Sequence, residues 1–143
     1  MDAAAVTPAL ARARDRLDRL ALYPAPVRIE RVRVVVAPRL FRLPWLRRFD
    51  GYAAHGLILL RGPAAAEGGD DDLLTHELCH VWQMQHRPLA MPLSYLVRGY
   101  AANPYEAEAR RAVEQTRDDG AGAVGPPPAT RPEPGPGPGP RPA

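Results

Sequence analysis

Between Asp70 and Pro88 the apolar residues Leu74, Leu78 and Val81 recur at the spacing that puts them on one side of a helix turning about 100° per residue. Asp70-Asp71-Asp72 precedes the run, offering an N-cap and negative charge to the positive end of the helix dipole, and Pro88 forbids continuation past Arg87. The pattern predicts a helix over about 73–87, packed into the core along that side. Upstream, Leu10, Ala13, Leu17 and Leu20 follow helical spacing after Thr7-Pro8, read as N-cap and first helical residue, and the run ends before Pro24. With arginine and aspartate interleaved on its other face, this reads as a solvated surface helix.

Val27 to Ala37 is valine-rich and reads as a strand. Leu57 to Leu60 reads as a second strand, with Phe49 to Ala54 pairing to it across a His55-Gly56 turn. A strand above the central helix either holds an extended peptide by adding it to the sheet edge or only covers the helix. Residues 64–69, small and glycine-rich, read as a flexible connector. Pro92 to Tyr100 predicts a short helix with Leu93, Leu96, Val97 and Tyr100 on one side. Asn103-Pro104 then starts a last helix running to about Arg117. The expected class is α+β, with a short antiparallel sheet packed on the central helix and a following helix beside it.

Composition narrows the picture. The chain has 143 residues, of which 118–143 contain nine of the 18 prolines and only Val124 as a large apolar side chain. That segment is expected to be a disordered, polyproline-like tail following a single domain over residues 1–117. All 19 basic residues are arginine, which coding bias explains more simply than phosphate recognition. A net charge of +3 is mild, so a nucleic-acid partner is not expected. Cys79 is the sole cysteine, which excludes an intrachain disulfide, and it reads as a small buried residue rather than a nucleophile. No signal-like segment is evident and no run approaches about 18 apolar residues, so a cytoplasmic location is expected. Arg39 to Phe49, where four arginines alternate with five large apolar residues before Phe49, is the expected surface for a membrane, a partner or a substrate, unless its own aromatics pack it as a loop.

The chemistry sits on the central helix. His76-Glu77-Leu78-Cys79-His80 is an H-E-x-x-H string, and histidines four apart stand one turn apart on one face, where two imidazoles can converge on one cation. Glu77, about 100° round from His76, is placed to reach a water on that cation rather than to ligate it. Two histidines do not hold a catalytic zinc, so a third protein ligand is required. His86 has the spacing of the third metzincin histidine, but Gln83 stands where that pattern needs glycine, and an unbroken helix carries His86 away from the ligand face. Glu106 is the other candidate, with Glu108 replacing it if the last helix begins later. A competing reading makes Glu106 half of a capping box with Asn103, needing no metal. Tyr95, Tyr100 and Tyr105 are candidates to donate a hydrogen bond to an oxyanion.

His76-Glu77-x-x-His80, followed 26 residues later by Glu106 within an N-P-x-E-x-E-A string, resembles the gluzincin branch of zincin-like metallopeptidases. It is most similar to small bacterial members with an H-x-x-Q continuation, and the likeness covers about residues 49–115. The resemblance implies a small zincin-like domain holding Zn2+ through His76, His80 and Glu106, with Glu77 as general base and a peptide or protein as substrate. Gluzincins often carry an aspartate four residues after the ligand glutamate to orient a histidine, and Arg110 stands there instead. The alternative function is a non-catalytic zinc-binding scaffold, or an interaction module working through residues 39–49. Glu77 weighs against a purely structural site, which has no use for a base beside a water.

Overall fold

The computed structural model of the chain describes residues 3–63 and 70–121, with backbone alone at residues 3–7 and 118–121. The elements in chain order are α1 (Ala3–Asp18), β1 (Arg33–Val36), a 3-10 turn (Leu40–Arg42), β2 (Gly51–Ala54), β3 (Leu57–Leu60), α2 (Asp71–His86), α3 (Ala90–Arg98) and α4 (Pro104–Ala121). The expected connector at residues 64–69 and the expected tail beyond Ala121 lie outside the described residues.

The α2 helix forms the centre, with an apolar stripe packed into the core and its polar residues Thr75, Glu77, His80 and Gln83 buried as well. Asp70 caps it, its side chain accepting from the Leu73 N–H at 3.0 Å, and Asp71 and Asp72 supply the favourable charge of the first turn. Leu74, Leu78 and Val81 are fully buried, and all of Leu74 to Met84 except His76 is buried. Removing a side chain such as Leu78 from water stabilises the fold by about 1.5–3 kcal/mol. Against this face pack Ala9, Leu10, Ala13 and Leu17 of α1, Ala109 and Ala112 of α4, and Ile58 and Leu60 of the sheet. Trp82 closes the core, its indole N–H donating to the Ala25 carbonyl at 2.8 Å and its ring meeting Tyr23 edge-on. Asp72 ties three helices together, receiving Arg16 of α1 at 2.8 Å and Arg117 of α4.

The α1 helix begins at Ala3 rather than at Thr7-Pro8, so Pro8 lies inside it. Alanines 3–5 are strong helix formers, and a proline in the second turn removes only one backbone bond.

The sheet is mixed, not antiparallel. Its order is β1-β3-β2, with β2 antiparallel to β3 across the His55-Gly56 turn and β1 parallel to β3, Val34 opposite Ile58. An apolar strand reads the same in either direction, so the periodicity carried no information on this point. The expected strand from Val27 shrinks to four residues because the backbone before it is engaged by helix side chains. The Gln85 amide bonds both the N–H (3.0 Å) and the carbonyl (2.7 Å) of Arg28, and Asp18 accepts from the Val27 N–H at 3.1 Å.

The 3-10 turn buries Phe41 and the loop after it buries Leu46, while Leu40, Leu43 and Trp45 stay exposed. Arg61 holds the end of this loop by donating to the Arg47 and Phe49 carbonyls. Among the described residues no helix is long and apolar enough to cross a membrane.

Candidate metal centre

His76 and His80 project from α2 toward the start of α4, where Glu106 meets them. Their ring nitrogens lie 3.1 Å apart, Nε2 to Nε2. The Glu106 carboxylate stands across both, Oε1 at 3.1 Å from His76 Nε2 and Oε2 at 3.2 Å from His80 Nε2. These three groups form a buried cluster whose ligand atoms could hold a metal ion. Glu106 does not act as a capping group. Asn103 caps α4 through its side chain, Oδ1 accepting from the Tyr105 N–H at 2.9 Å, which leaves the glutamate of the first turn free to face the histidines.

Burial alone would raise the pKa of Glu106, but hydrogen bonds and charge from the two imidazoles outweigh it and hold the carboxyl far below its ordinary range. His80 shows the reciprocal effect. Burial would lower its pKa, yet the Glu106 carboxylate, Glu77 and Gln83 together raise it.

Two tyrosines lean on the same carboxylate. Tyr100 donates to Glu106 Oε1 at 2.8 Å, and Tyr95 to Oε2 at 3.3 Å. Burial, with the neighbouring carboxylate, pushes the Tyr100 hydroxyl up to about 12 and the Tyr95 hydroxyl higher still, so both remain donors near neutral pH. Tyr105, the third candidate donor, points away from the site, into a separate hollow with Tyr23 and Glu108. Ser94 and Asn103 lock the approach of α3 to α4, the Asn103 amide donating to the Ser94 hydroxyl at 2.9 Å.

The group that orients His80 is Gln83, one turn further along α2. Its Oε1 accepts from His80 Nδ1 at 2.8 Å, which keeps a proton on Nδ1 and turns Nε2 toward Glu106. Gln83 is itself held by donating to the Tyr105 carbonyl (2.9 Å) and to Glu108 Oε1 (3.1 Å), and Glu108 accepts from the Tyr23 hydroxyl at 2.6 Å. Glu108 therefore belongs to this supporting network and is no alternative ligand. Arg110 orients no histidine. It reaches Glu106 Oε1 at 3.4 Å from an exposed position. His86 is also away from the site, stacked on Tyr23 at 4.9 Å.

Glu77 is buried beneath β2. A Cβ at Gly51 would lie 2.4 Å from Glu77 Oε1 and 2.8 Å from Cδ, so only glycine lets the strand cross above this carboxylate. Burial raises the pKa of Glu77, with the two histidines opposing. Among the described residues no hydrogen bond restrains its carboxylate. The site opens into a cleft of about 430 Å³ walled by β2 on one side and by Met91, Pro92 and Tyr95 of α3 on the other, with Phe49 and Tyr100 in contact at its end.

Sequence reasoning named the cluster and Glu77 but missed Gly51 and the role of Gln83. Gln83 had a signal in its position, three residues after His80 on the same helix face; Gly51 had none until the strand was placed over the helix. No protein-family model, curated protein or solved structure matches the chain.

Proposed function

We propose that this protein is a zinc-dependent peptidase of the zincin-like, gluzincin type, with His76, His80 and Glu106 as metal ligands and Glu77 as general base. The donor set fits the ion. Two imidazoles and a carboxylate suit a borderline transition dication better than calcium or magnesium, which favour oxygen. The two histidine nitrogens stand 3.1 Å apart and each lies 3.1 to 3.2 Å from one of the two Glu106 oxygens, close to the separation of about 3.3–3.4 Å that ligand bonds of about 2.0–2.1 Å in a tetrahedron imply. Three protein ligands also leave one position open, as a catalytic site requires.

A zinc ion held by His76, His80 and Glu106 would supply Lewis-acid chemistry, polarising a peptide carbonyl and acidifying a water. Glu77 would take a proton from the attacking water and return it to the leaving amine. Tyr95 is the better-placed donor to the developing oxyanion. Its ring lines the cleft, its hydroxyl stays protonated, and its 3.3 Å bond to Glu106 is long enough to yield to a stronger acceptor. The edge position of β2 along the cleft suits an extended peptide, which would add to the sheet there.

The observation that carries the catalytic reading is Glu77. A carboxylate buried to 5 % exposure, with no hydrogen bond to it among the described residues, is costly to keep for structure alone. A zinc site built for stability gains nothing from it. The test is metal analysis of the purified full-length chain together with cleavage of fluorescently labelled casein. Wild type and Glu77→Gln are expected to retain zinc equally, with turnover falling about 100- to 10,000-fold in the variant, and Glu106→Ala to lose both. Zinc bound with equal turnover in wild type and Glu77→Gln would refute the assignment, and zinc bound with no turnover in either would favour the scaffold.

A further inference from the structure

The α3 helix is built inside out. Met91, Ser94 and Tyr95 turn toward the protein, while its outer face presents Leu93, Leu96 and Val97 at 56, 82 and 75 % exposure, extended by Leu89 just before the helix at 79 %. A helix on the surface of a soluble domain normally turns charged and polar groups outward, and this face has none. Tyr52 of β2, on the opposite wall of the cleft, is 41 % exposed and packs edge-on at 6.0 Å against Trp45, which is 58 % exposed.

The charge carried by the segments that form these walls is mainly basic. From Leu78 to Tyr105 the sequence contains no aspartate or glutamate, and from Arg39 to Phe49, the segment that leads into β2, it has four arginines and again no acid. Exposed Arg87 and Arg98 bracket α3, and Arg48 lies at the cleft over the Phe49 ring. At the other mouth of the site Asp50 is paired with Arg61 and Asp72 with Arg16 and Arg117, which leaves Glu114 as the exposed acid there without an ion pair among the described residues.

We propose that this face docks on an anionic phospholipid bilayer, with the aliphatic side of α3 and Trp45 entering the headgroup region and the cleft opening at the membrane surface. The arrangement matches what such a surface rewards. Leucines reach the acyl boundary, an indole sits at the interface, and arginines extend their stems along the apolar face to meet lipid phosphates. A second copy of the chain fits less well. Nine residues of helix span only about 14 Å, too little for a stable dimer on its own, and pairing two such faces brings arginine ends together. The inference does not depend on turnover at the metal centre.

The test is sedimentation of full-length protein with vesicles of phosphatidylcholine alone or mixed with phosphatidylglycerol. Binding is expected to the mixed vesicles and not to the neutral ones, equally for wild type and Glu77→Gln. The combined change Leu93→Ser, Leu96→Ser and Val97→Ser, at exposed positions, is expected to lower binding at least about 100-fold, with the circular dichroism spectrum and metal content unchanged. Arg87→Ala with Arg98→Ala lowers it about 30-fold at low salt, and high salt erases that difference. Absence of binding to anionic vesicles, equal binding to neutral ones, or a concentration-dependent dimer abolished by the triple change would each overturn the proposal.

Discussion

Replacing Gly51 with alanine tests whether the buried acid beneath β2 is the working base. Gly51 does not adopt the left-handed conformation that Gly99 does, at φ 68°, so alanine strains no backbone there and acts only through its methyl group. That methyl would stand 2.4 Å from Glu77 Oε1, where non-bonded heavy atoms keep about 3.5 Å. The glutamate side chain is the part able to move, and it must retreat by about 1 Å. A displacement of that size at a reacting group costs about 100-fold in rate, while overpacking costs about 1–3 kcal/mol of stability. Gly51→Ala is therefore expected to bind zinc like wild type, to unfold several degrees lower, and to cleave labelled casein about 100-fold more slowly through kcat. His76, His80 and Glu106 are not among the nearest atoms the new methyl would meet, so metal content should be untouched. A variant that binds zinc normally and turns over at the wild-type kcat would refute the role given to Glu77.

Further changes probe the support around the site. Gln83→Leu removes the acceptor that orients His80 and is expected to weaken zinc binding about 10- to 100-fold, measured by competition with a chromophoric chelator. Leu78→Ala empties a fully buried position on the back of the same helix, and should cost about 2–5 kcal/mol in urea unfolding without touching the ligand atoms. Asp72→Asn should show a pH-dependent loss. Burial would raise the Asp72 pKa, but Arg16 and Arg117 hold it below the ordinary 3.8. A carboxyl depressed in the folded state stabilises it at pH above the unfolded value and loses that contribution as pH falls. The variant should be less stable than wild type near pH 7, by no more than about 1 kcal/mol because the carboxylate is 37 % exposed, and the gap in melting temperature should close in acid.

What could be read from the sequence was what depends on local spacing. Histidines four apart, an aspartate cap before a leucine-spaced run, and Asn103-Pro104 ahead of Glu106 each determine a neighbourhood of one or two helical turns. Within that range the sequence alone carries the geometry. The strands behaved differently. Val27 to Ala37 has strand chemistry throughout, yet only the part with a partner strand became one, because Gln85 took the Arg28 backbone for the helix. The parallel pairing of β1 with β3 is likewise a property of chain path, invisible to a side-chain period that has no direction.

The support around the site follows the same rule at longer range. His80 is oriented by Gln83, Gln83 by Glu108 and the Tyr105 carbonyl, and Glu108 by Tyr23, so α1's exit, α2 and α4 fix one imidazole through three successive contacts and one branch. The residue four after Glu106, where gluzincins often carry an orienting aspartate, is Arg110, and the orienting task is met from the helix bearing the histidine instead. Glu108 therefore bears on the candidate site without touching its three residues. A residue of that kind emerges only when the fold brings Tyr23 and Gln83 to it, since neither its spacing from the histidines nor its place on α4 distinguishes it from a solvated acid.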